Sequence, residues 1–136
     1  MKLDRRFVIW GLCYAAAGMI LGIYMAASGN HAQMTTHAHV LLIGFVVSFV
    51  YGLIHRLWLH EPGRGISKLQ FVLHQVAAFM ALAGLFLFYG GFASEATLMP
   101  LLGIGSVGVL LGMLLMLYMV IRFGTTKGVA ERALTS

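Results

Sequence analysis

Charge is scarce in this chain. Only 10% of its 136 residues are charged, four residues are acidic, prolines number two and there is one cysteine. Each scarcity excludes something. So little charge, beside 60% hydrophobic residues and a mean hydropathy of +0.91, lies outside the range of soluble globular domains. The lone cysteine, Cys13, cannot close an intramolecular disulfide and reads as a small packing residue within an apolar run. No histidine, acid or base lies between Thr97 and Ile121. The other apolar runs hold no acid–base pairs and no broken-helix repeat, which argues against an ion-coupled transporter.

What is present is apolar length. Four runs reach the roughly 20 residues that cross a bilayer: Phe7 to Ala27, His37 to Trp58, Leu69 to Gly90, and Thr97 to Ile121. They predict an all-α integral membrane four-helix bundle, a single domain over residues 1–136. The first run, with MKLDRR before it and MAASGNHA after it, has the flanks of a signal peptide, but its apolar stretch is longer than a signal core and reads as a helix. Lys2, Arg5, Arg6, Arg56, Arg64, Lys68, Arg122, Lys127 and Arg132 all fall on one side of that bundle. By the positive-inside rule both termini are then cytoplasmic, and the loops from Ser28 to Thr36 and from Gly91 to Ala96 face outward. The net charge of +5 is a topology signal and not a nucleic-acid surface.

The stretch His31 to Trp58, HAQMTTHAHVLLIGFVVSFVYGLIHRLW, joins a histidine-bearing loop to a membrane-length helix. Its loop half gathers His31, Met34, His37 and His39, donors that suit haem iron, copper or zinc. Thr35 or Thr36 reads as the N-cap of the second helix. On a helix His37 and His39 stand about 200° apart, so they do not readily share one metal. His55 lies about 24 Å further along the axis, at the opposite face, and with Arg56, Trp58 and His60 reads as an interfacial anchor. His74 is the histidine placed deepest within a span. A His55–His74 pair and a His74 hydrogen bond to a backbone carbonyl are both sterically open. Helix one carries Gly11, Gly18 and Gly22, and helix four carries Gly103, Gly105, Gly108 and Gly112, so close helix approach is expected in both. Helix four is expected to open near Met99 and Pro100, and Met113, Met116 and Met119 read as packing residues. The stretch from Arg122 to Ser136 reads as a polar tail, helical at the interface or disordered.

The string AHVLLIGF, preceded by threonine and histidine, resembles the second helix of heme-copper oxidase and nitric oxide reductase catalytic subunits. A wider match, over roughly residues 11–90, is to small four-helix bacterial membrane proteins described as cytochrome oxidase polypeptide I-like. Those relatives read approximately GI-x-M-x-x-S, a polar loop, HAHLNLLGW and G-L-x-Y-R; this chain reads GIYMAAS, a loop, HAHVLLIGF and GLIHRLW, with LHQ at His74. The resemblance implies a bacterial cytoplasmic-membrane protein in which His39 is an axial ligand of haem b, with His37 and His74 as further cofactor-binding candidates. The large oxidases use additional haem- and copper-ligating histidines on later helices that this chain lacks. Reduction of oxygen or nitric oxide at a binuclear centre is therefore not supported within one protomer, although single-electron or oxidase-related chemistry near the outer face is. The opposite axial position is left to Met25, Met34, Met99, His31, another protomer, or a five-coordinate iron.

The leading expectation is thus a haem-binding redox protein handling single electrons near the outer membrane face. One alternative is a non-catalytic subunit that joins a larger respiratory complex, or a homo-oligomer, through its glycine-rich helices. Another is outward copper or zinc binding by His31, Met34, His37 and His39. Whether the chain is itself an enzyme is left open, and the partner expected in every case is the lipid bilayer.

Overall fold

A computed structural model describes residues 1–60 and 62–124. The tail beyond Gly124, with Lys127 and Arg132, and Glu61 of the Glu61-Pro62-Gly63 turn lie outside the described residues. Four helices account for nearly everything else: α1 (Leu3–Ser28), α2 (Met34–Leu57), α3 (Arg64–Tyr89) and α4 (Glu95–Phe123). All four are long and apolar enough to cross a membrane. Their outward faces carry large apolar side chains such as Ile20, Ile23, Val107 and Ile121, at 56–75% exposure. Such surface suits lipid rather than water.

The helices end where the backbone chemistry requires. Gly29 closes α1 at φ 66°, a left-handed conformation that a side chain resists. After α3, Phe92 N–H donates to Leu87 O and Gly91 N–H to Phe88 O, with Gly91 at φ 69°. That pair of bonds is a Schellman motif, which satisfies carbonyls the helix would otherwise orphan.

Two starts differ from the expected ones. Helix α2 begins at Met34, because Met34 N–H reaches His31 O and His37 N–H reaches Gln33 O; neither threonine is the cap. Helix α4 begins at Glu95, where Ser94 accepts from Thr97 N–H, so Pro100 lies inside the helix and not in its first turn. The Ser94 cap outweighs the missing proline donor. Cys13, expected to pack, is exposed.

Within α2, residues Val40–Val47 wind as a π-helix. The buried positions Thr36, Val40, Gly44 and Ser48 recur every four residues, wider than the 3.6 of an α-helix. The wide winding keeps all four on one interior line.

The bundle is two hairpins. Helices α1 and α2 pack together, α3 and α4 pack together to a similar extent, and contact between the hairpins is carried mainly by α2 against α3. Glycines make the close approaches inside each hairpin: Gly11, Gly18, Gly22, Gly44 and Gly52 in the first, and Gly84, Gly105, Gly108 and Gly112 in the second. An apolar cluster of Phe7, Tyr51 and Met116, flanked by Phe71 and Val120, locks the end that carries the cations. There His60 N–H also bonds Phe123 O, tying the end of α2 to the end of α4.

Candidate functional site

The two ends of the bundle differ in chemistry. At the histidine end, His31 bonds Gly29 O at 3.1 Å, His37 bonds Gly18 O at 2.9 Å and His39 bonds Thr35 O at 2.8 Å, each through Nδ1. A carbonyl only accepts, so Nδ1 carries a hydrogen in all three rings, and in the neutral imidazole Nε2 is then the acceptor nitrogen. This is the arrangement that prepares an imidazole for a metal. The rings do not converge, however. His37 turns to α1, where it lies against Gly22, while His39 stays over its own helix, as their 200° separation requires. Among the described residues no group of three or more His, Cys, Asp or Glu side chains is placed around a single ion. His31 and Met34 are exposed, and His37 and His39 are half-buried.

Behind these histidines a cleft of about 710 Å³ opens between α1, α2 and α3. Its walls are apolar and aromatic, with Gln33 and Thr36 at the back. Gln33 Nε2 donates to Phe86 O at 2.9 Å, whereas Gln33 Oε1 and Thr36 Oγ1 are buried without a partner. No histidine, methionine or cysteine lines the cleft. For a haem, then, His39 has the donor chemistry of a ligand, and the cleft lining would supply none.

Deeper in the seam lies a cluster that the sequence reading located only through His74. His74 is fully buried, and its Nε2 is 3.0 Å from Ser48 Oγ. Gln75 Nε2 donates to the same hydroxyl at 3.2 Å. Since the amide can only donate there, Ser48 is free to pass its own hydrogen to His74, giving a directed chain Gln75 to Ser48 to His74. Of the two arrangements left open for His74, a backbone carbonyl or His55, neither is formed, and its partner is this hydroxyl from the other hairpin. His74 Nδ1, Gln75 Oε1 and both amide atoms of the fully buried Gln70 have no partner. Each such atom costs about 1–3 kcal/mol when sealed from water. The sequence signal for the cluster was Ser67, Gln70, His74 and Gln75 recurring along one face of an apolar helix.

His55 and His74 are not paired. Phe7 stands beside both, its ring stacked on His55 at 5.3 Å and tilted to His74 at 6.3 Å. His55 opens instead onto a second cleft, of about 970 Å³, lined by Lys2, Arg6, Arg56, Arg64 and Lys68 with Asp4 as the acid. Five of the cations grouped on one side by the sequence are therefore grouped in space. Met116 and Met119 are buried packing residues as expected, but Met113 has a further role: its sulfur accepts the Tyr51 hydroxyl at 3.3 Å across the seam.

Comparison with known protein families, with curated proteins and with solved structures finds no match to this chain.

Proposed function

We propose that this chain is a redox protein of the bacterial cytoplasmic membrane that binds haem b through His39, with both termini on the cytoplasmic side. The observation that carries the reading is the His39 ring, anchored by Nδ1 on Thr35 O with its Nε2 lone pair unbonded among the described residues. Its position immediately before the π-helical stretch adds support, since such irregular turns concentrate at functional sites. The orientation rests on the cations that gather round the cleft at the opposite end.

In this reading the Thr35 carbonyl fixes the tautomer of His39, and the apolar helix faces set a low-dielectric surround. A bound haem supplies reversible one-electron chemistry. Any further ligand would come from a neighbouring loop residue or from a second copy of the chain, so oligomer formation or membership of a larger respiratory complex belongs to the proposal. The test is a reduced-minus-oxidised absorption spectrum of the detergent-purified protein. Soret and α-band signals are expected, lost in His39→Ala and kept in His74→Ala. A flat spectrum overturns the reading.

Copper or zinc binding at His31, Met34, His37 and His39 is the second reading, favoured by the bare Nε2 atoms of the three histidines. It predicts metal without haem in the same sample. The partner-subunit reading drew on the glycines. Gly18 is occupied by Leu41 and Val40, and Gly108 by Ala77, both within the chain.

A further inference from the structure

We propose that the cleft at the histidine end binds a neutral amphiphile with a hydroxylated aromatic ring, of the hydroquinone type, and prefers it to the oxidised quinone. The chemistry of the walls selects that class. No charged side chain lines the cleft, so the ligand is neutral. Tyr24, Phe86, Tyr89 and Phe92 stand among the lining residues, an aromatic wall suited to a planar ring. Ile20, Tyr24 and Phe92 are 56–68% exposed, so the cleft opens sideways onto the surface that faces lipid.

The polar back wall then selects the redox state. Gln33 and Thr36 are 8% and 1% exposed, and each has an oxygen without a partner. The Gln33 amide cannot be reversed, because its nitrogen donates to Phe86 O and an oxygen in that place would face another oxygen. Gln33 Oε1 is thus a fixed acceptor, and it needs a donor from the ligand. A hydroquinone O–H supplies one. A quinone carries acceptors alone and leaves Gln33 Oε1 sealed and unpaired, although it can still accept from the Thr36 hydroxyl. One unmatched buried acceptor corresponds to a preference of about tenfold.

The experiment is calorimetric titration of the full chain in lipid nanodiscs with a decyl-substituted hydroquinone and with its quinone. The expected result is binding of both, with the reduced form about tenfold tighter. Gln33→Leu is expected to erase the preference, and Thr36→Val to weaken both forms. Equal affinities in the unaltered chain overturn the proposal, as does absence of binding by either form. Displacement of the hydroquinone by an equal concentration of dioleoylglycerol, which has a hydroxyl but no ring, also overturns it. The central comparison needs no variant, so misfolding of a substituted chain does not obscure it. Heat is read rather than absorbance, so success or failure here is separate from the fate of the haem reading.

Discussion

Where α3 meets α4, backbone comes close to backbone; where α2 meets α3, the helices meet through polar side chains and leave clefts at both ends. A methyl added at Gly105 would lie 2.6 Å from the Ala81 nitrogen, an approach only glycine permits. The seam between the hairpins instead holds the Ser48, His74 and Gln75 bonds, the Gln33 to Phe86 bond and the Tyr51 to Met113 bond. In lipid there is no hydrophobic drive between helices, so close packing and buried polar contacts are the two available adhesives. This chain uses the first to build each hairpin and the second to join them. The first kind leaves no space, whereas the second leaves unpaired atoms that something else can bind.

The contrast is broken most severely at Gly105. Gly105→Ala presses on backbone that cannot swing aside, and a loss on the order of 2 kcal/mol is expected, read as a lowered thermal unfolding midpoint in detergent. Gly18→Ala should cost clearly less in the same assay. Its nearest neighbour, at 2.6 Å, is the end of the Leu41 side chain, which can rotate.

Ser48→Ala comes next. It removes one hydroxyl and strands two groups, His74 Nε2 and Gln75 Nε2, for an expected loss of about 1–3 kcal/mol. Replacing the triad together, Ser48→Ala with His74→Phe and Gln75→Leu, should recover most of that loss, since an apolar set strands nothing. A triple variant no more stable than Ser48→Ala would show that the seam depends on packing rather than on polar pairing. The same unfolding midpoint decides it.

Tyr51→Phe should cost less again, about 1 kcal/mol or below, because a sulfur is a weak acceptor and the ring packing is kept. Arg56→Ala, which removes a 3.9 Å ion pair to Asp4 with Arg56 56% exposed, should leave stability within error at physiological salt.

These differences bear on what the sequence disclosed. The four apolar runs found the four helices because a membrane span is encoded by length and composition, both local quantities. The starts moved by two to five residues and the ends by one or two, and the Ser94 cap sets the start of α4. The glycines announced close approach, but not that the partners of Gly18 and Gly108 lie within the chain, nor that Gly103 meets nothing within 4 Å. His74 was legible as the deepest histidine. Its partner Ser48 was not, since a serine in a span usually bonds its own helix, and the pairing crosses 26 residues. The lone pairs of His31, His37 and His39 depended on carbonyls in the loop, in α1 and in the preceding turn, which no motif specifies.

The π-wound residues Val40–Val47 stand between the histidine end and the buried triad. They act as the gear ratio of α2. Deleting one residue there would change the winding and turn everything beyond it relative to the histidine end. Ser48, Tyr51 and His55 would then swing off the seam while His37 and His39 stayed in place. Eight residues with no polar side chain thus hold the two polar ends of the protein in phase.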